Sequence, residues 1–201
     1  MPYIGCTQKL LAEIKPAQIL EPTSQRGLQG WQGNIFRFFR RKSVLLVNDE
    51  TRFAVFMPGL VKKDFMNFDK VFIEHFEIAL LGVGATSAQI AQAKLLLGPF
   101  SYGKTHSRSV LGTMNDMKFN MEYMLKNRLG HLPRTRSEIQ WITGLLNDTP
   151  YSGKDIDGCV FAERDMLRLI DGPRSRGMGF CQARNAAIST KNFKGLEGSP
   201  F

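Results

Sequence analysis

Cysteine is scarce in this chain and placed for no chemistry of its own. Cys6, Cys159 and Cys181 are odd in number, far apart and never spaced Cys-x-x-Cys, which argues against a disulfide framework or a zinc site and points to a reducing compartment. Histidine is as sparse. His75, His106 and His131 lack ligand spacing, and there is no His-Glu-x-x-His, no nucleophile elbow and no Cys-His signature, so neither a metal nor a cofactor is expected. Long apolar runs are missing too: nothing approaches the roughly 20 residues needed to span a bilayer. The opening stretch MPYIGCTQKLLAEIKP has no positive region followed by an apolar one, so a cytoplasmic protein with no membrane partner is expected.

What the chain has in excess is positive charge. The 201 residues carry 27 Lys+Arg against 18 Asp+Glu, a net charge of +9, so polyanions are attracted from a distance, nucleic acid first among them. The alternative is charge that serves solubility alone. With 43% hydrophobic residues, 15 of them Phe, the chain has ample material for a core.

The residue pattern predicts an α+β fold. YIGC is a short strand, Thr7 caps a helix bearing Leu10, Leu11 and Ile14, and 21–33 is a loop. NIFRFFR, SVLLVND and RFAVFMPG are β-rich runs joined by short links, which reads as an antiparallel meander. From Asn67 the apolar period becomes helical. A second helix opens at Thr86 and Gln89, FSYGKT is a further strand, and a long helix from about 107 to 129 carries a stripe of Met114, Met117, Met121 and Met124 that reads as core. Thr135 and Glu138 open another helix, and FAERDMLRLIDG is a short one. The expected architecture is an antiparallel sheet of four to five strands with helices on one face. Residues 1–130 form the core domain and 131–201 a helical extension, ending in a mobile or wrapping tail from Gly172.

GPFSYGKT, residues 98–105, has the spelling of a phosphate-binding P-loop. Its interior argues otherwise: Pro99 has no N–H to offer, two aromatic rings obstruct a tight backbone wrap, and a helix rather than a buried parallel strand precedes it. A nucleotide hydrolase is therefore not favoured. The following stretch, KTHSRSVLGTMND, offers a different anion site: Lys104, Thr105, His106, Arg108 and Ser109 precede or open a helix, with Asn115 on the same side of that helix as Arg108. A structural role for these polar groups is the alternative. Arg40, Arg41 and Lys42 at a hairpin tip, beside Phe36, Phe38 and Phe39, form a second cationic group suited to single-stranded nucleic acid, with the rings themselves read as core. Asn34 lies on the same strand. Should the chain be an enzyme, His106 with Lys104 and Arg108 is the set for metal-independent ribonuclease chemistry.

Taken in order, CTQKLL, WQGN, RRK, ND with Thr51, PG and KTHSRSVLGTMND resemble a bacterial family catalogued as a domain of unknown function, over about residues 1–125. The resemblance implies a cytoplasmic protein of a bacterium or mobile element. It carries over Trp31, Asn34, Arg40, Arg41, Lys42, Asn48, Thr51, Lys104, Thr105, Arg108, Ser109, Gly112, Asn115 and Asp116. The function expected is a module that binds nucleic acid or another polyanion through Arg40, Arg41, Lys42, Lys104 and Arg108 gathered in one hollow. The alternatives are a ribonuclease or toxin-like effector, and an inhibitor acting on a protein partner.

Overall fold

The computed structural model describes residues 1–151 and 159–172. The elements run β1 (Tyr3–Cys6), α1 (Gln8–Ile14), a 3-10 turn (Gly27–Gln29), β2 (Gly30–Phe38), β3 (Arg41–Asn48), β4 (Ala54–Leu60), α2 (Lys62–Met66), α3 (Phe68–Gly82), α4 (Ser87–Leu96), β5 (Ser101–Lys104), α5 (Arg108–Met124), a π-turn (Leu125–Leu129), α6 (Arg136–Asp148), β6 (Pro150–Tyr151), β7 (Val160–Phe161) and α7 (Ala162–Asp171). The expectation for the tail beyond 172 lies outside the described residues.

The main sheet has the order β4-β3-β2-β1-β5 and is mixed, which corrects the antiparallel expectation. The meander is there as β2, β3 and β4, but β1 pairs parallel with β2 on one side and with β5 on the other. The reason lies in the connections. Links of two residues (39–40) and five residues (49–53) join antiparallel neighbours, whereas β1 and β5 are reached through helices, and such crossovers permit parallel pairing. β2 also begins at Gly30, inside the stretch read as loop.

Helices cover both faces of the sheet, not one. On the first face Ile4, Trp31, Val44, Leu46, Val55 and Met57 pack with residues of α1, α3, α4 and α7. On the second, Phe36, Phe38, Leu45, Val47, Ala54 and Phe56 pack with Val110, Met114, Met117 and Met121 of α5 and Ile142 and Leu146 of α6. Consecutive buried residues along β3 and β4 are what a strand buried on both sides requires. The methionine stripe is core as expected. Trp31 anchors the first face, edge-on to Phe72 and Phe76 at 5.1 and 5.5 Å, with its indole N–H donated to the Leu28 carbonyl at 2.8 Å. Asn147 ties α6 to the free edge of β4 by accepting from the Ala54 N–H at 2.7 Å and donating to the Ala54 carbonyl at 3.0 Å. It completes the edge residue as a neighbouring strand would.

Candidate functional site

The P-loop spelling belongs to a strand. Residues 101–104 pair with 3–6, and the Ser101 N–H donates to Pro2 and the Thr105 N–H to Cys6, so the stretch is extended sheet backbone and not a loop curled round a phosphate. Gly103 is required by its neighbours: a Cβ there would run into the Tyr3 hydroxyl and the Leu20 carbonyl. The Tyr3 hydroxyl itself donates to the Lys104 carbonyl at 2.8 Å. Gly103→Ala is expected to destabilise the fold by about 2–3 kcal/mol through overpacking. Urea denaturation checks this, and an unchanged midpoint would show that the contact relaxes freely.

Beside Gly103 a polar cluster joins three segments. Gln32, fully buried on β2, accepts from the Thr105 hydroxyl at 2.7 Å and donates to Asp49 Oδ2 at 3.2 Å; the same amide lies 3.2 Å from His106 Nδ1. His106 Nε2 stands 3.6 Å from Asp49 Oδ2. The Gln32 amide also lies 3.5 Å from His106 Nε2, so one donor stands beside both ring nitrogens. Both ring nitrogens stand beside protein groups. Lys104, the proposed catalytic companion, is carried to the other face by strand alternation, since Thr105 next to it contacts Gln32. Arg52, buried in the β3–β4 turn, donates to the Asp49 carbonyl and reaches the Ser109 hydroxyl at 3.3 Å. This cluster holds the β5–α5 loop against the β3–β4 turn.

Burial pushes the Asp49 carboxyl above its ordinary value, against the lowering effects of the Gln32 amide, His106 and Arg52. The folded chain thus binds this proton more readily than the unfolded one, so the stability linked to Asp49 falls as the pH rises through the raised pKa. Asp49→Asn, which carries no charge, is expected to melt above the wild type at about pH 7, with the difference shrinking towards about pH 4. A variant that melts lower at neutral pH would show that the ionised carboxylate stabilises the fold.

The remaining expected site residues divide between two ends of the sheet and do not form one hollow. The Asn34 side chain accepts from the Thr7 hydroxyl at 3.0 Å and from the Ile35 N–H at 2.9 Å. Arg108 starts α5 on the side of the β3–β4 turn, where Ser109 meets Arg52. The helix then runs about 25 Å towards the other end, where the loop that follows it lies against the β2–β3 hairpin. Arg108 and Arg41 are separated by that length. Asn115 is exposed on the outer side of α5, part-way between them.

The hairpin end is where positive charge collects. Arg37, Arg40, Arg41 and Lys42 come from the hairpin, Lys9 from α1, and Lys62 and Lys63 from the start of α2, two residues after the strand that pairs with Lys42. A groove between α1 and the hairpin is lined by Lys9, Glu13, Arg37 and Lys42. The carboxylates on these segments are occupied: Glu13 pairs with Lys42 at 2.6 Å and Asp64 accepts the Val61 N–H at 2.7 Å. Among the described residues Lys9, Arg37, Arg40, Arg41, Lys62 and Lys63 make no ion pair. Phe36 and Phe38 are core, but Phe39 is 46% exposed at the tip. Phe39 and Arg40 both have positive φ, 45° and 65°, the backbone of a type I′ turn that Asn and Gly adopt at least cost. Lys9, Arg37, Lys62 and Lys63 were not legible as site residues, because only the three-dimensional pairing brings them to the tip. The signal for Phe39 was its place between the two paired strands, where the turn must fall.

Fold and surface define a small α+β domain, a mixed five-stranded sheet sandwiched between helices, with one strongly basic end. The chain belongs to the family described as a domain of unknown function (DUF6933), whose model matches residues 3–164. The match runs on through α6 and into α7, well past the segments that carry the resemblance. No curated protein and no solved structure matches the chain. Among the described residues no helix is long and apolar enough to cross a membrane.

Proposed function

We propose that the protein binds single-stranded nucleic acid across the basic end built around the β2–β3 hairpin. The observation that supports this reading is the gathering of Lys9, Arg37, Arg40, Arg41, Lys62 and Lys63 towards one end of the sheet, none in an ion pair among the described residues, with an exposed Phe39 at the hairpin tip. Cations with intramolecular partners lose little by staying paired; these have none to give up and gain a phosphate. An exposed ring beside arginines adds a stacking surface that any unpaired base can use. Lys104 and Arg108 lie outside this surface, and the reading does not need them.

Titrating the protein into a fluorescently labelled single-stranded RNA at several salt concentrations tests the proposal. Affinity is expected to fall with salt at a logarithmic slope of about −0.7 per phosphate neutralised, and absence of binding at about 50 mM salt would remove the reading. Cleavage is not part of the proposal, because both nitrogens of His106 stand beside protein groups. Labelled RNA is therefore expected to stay intact with and without chelator, and shortened products on a gel would revive the ribonuclease alternative.

A further inference from the structure

On the α5 side of the hairpin lies a cavity of ≈ 470 Å³, within the range of small-molecule sites. Its walls include Phe39 and Arg41 from the hairpin, Gly59 from β4, and His131 and Arg134 from the loop between the π-turn and α6. The loop is held from behind. Glu138 accepts the backbone N–H groups of Arg134 at 2.6 Å and Thr135 at 3.1 Å, and its other oxygen stands 3.7 Å from His131 Nε2. That carboxylate interacts with backbone N–H groups, the Thr135 cap and His131. Neither Arg41 nor Arg134 makes an ion pair among the described residues. His131 directs Nδ1 at the Leu132 carbonyl, 2.7 Å away, which leaves the two guanidiniums as the principal cations of the walls.

We infer that this cavity receives one terminal nucleotide, its base against the Phe39 ring and its phosphate between Arg41 and Arg134. Three features support a terminal unit over an internal one. The volume suits a single nucleotide and not a run of them. Two planar guanidiniums match the nearly two negative charges of a phosphate monoester at neutral pH, where an internal diester carries one. The aromatic wall gives the ligand a flat, apolar part, which inorganic phosphate lacks. The inference rests on the nucleic-acid reading above and deepens it by naming the part of the strand that is recognised. The same chemistry is offered by a free mononucleotide and by the end of a chain.

Four ligands separate the outcomes in an equilibrium binding assay: an eight-residue oligouridine with a 5′-phosphate, with a 3′-phosphate or with hydroxyl groups at both ends, and uridine 5′-monophosphate. At least one phosphate-ended oligonucleotide is expected to bind about 10-fold more tightly than the hydroxyl-ended one, the size of one good charge-assisted pair. Arg134→Gln is expected to erase that difference, and Phe39→Ala to weaken the phosphate-ended ligand several-fold. Binding of the monophosphate that is lost in Arg134→Gln supports the site with a free nucleotide as sufficient. A preference among the oligonucleotides without monophosphate binding supports it with the strand end as ligand. Equal affinity for all three oligonucleotides, or a preference that survives Arg134→Gln, overturns the inference while the nucleic-acid reading stands. Failure of every oligonucleotide to bind removes both. Thermal melting of the variants shows whether they fold, and retention of the preference in a folded Phe39→Leu, which keeps an apolar wall, tells loss of the ring from loss of shape.

Discussion

Arg40→Glu together with Arg41→Glu is expected to weaken binding of single-stranded RNA on the order of 100-fold at low salt, because two phosphate partners are lost and two repulsive charges stand in their place. The folded state should scarcely notice. Both side chains are exposed and neither makes an ion pair among the described residues, and surface changes of this kind usually stay within about 0.5 kcal/mol. Arg40→Gly sharpens the test. Arg40 sits at φ 65°, where glycine is relaxed and a side chain costs about 1 kcal/mol. The glycine variant should therefore be more stable and bind RNA more weakly, opposite signs from one substitution. An arginine kept at that position only for folding would not separate the two readouts.

Asn48→Ala is expected to cost about 3–5 kcal/mol. Fully buried at the end of β3, Asn48 donates to the carbonyls of Gly27 at 2.8 Å and Gly30 at 2.9 Å. Its own oxygen accepts from the N–H groups of Glu50 and Thr51 and from the Thr51 hydroxyl. One side chain thus closes the β3–β4 turn and ties it to the start of β2. Alanine strands several backbone groups away from water, and each carries its own desolvation penalty. Chemical denaturation measures the loss. A cost under about 1 kcal/mol would mean that water replaces the amide, in which case the turn is more open than described.

Asn48 and Thr51 show how far the sequence could be read. They stand out as polar residues of the resemblance, yet nothing in the string says whether they bind a ligand or each other; the bond between them, at 3.0 Å, gives each a partner within the fold. Asn34 likewise finds a partner within the fold in Thr7. Local rules served well where partners lie within four residues, as in the capping boxes Thr86–Gln89 and Thr135–Glu138. They failed where partners are distant. The pairing of Tyr3–Cys6 with both Gly30–Gly33 and Ser101–Lys104 depends on crossovers that no local pattern encodes. The burial of both faces was available in SVLLV, a continuous apolar run where one exposed face would have demanded alternation. Site residues followed the same division. Arg40, Arg41 and Lys42 are neighbours in sequence and were found together, whereas Arg108 lies a helix length from them and only the direction of α5 reveals it.

Amide chemical-shift mapping of the wild-type protein with a short single-stranded RNA tests the central claim most directly, since it asks which end of the sheet meets the ligand. Shifts concentrated at Lys9, residues 37–42 and Lys62–Lys63, and fading as salt is added, are what the account predicts. Shifts confined to residues 49–52 and 104–109, with the hairpin silent, would contradict it.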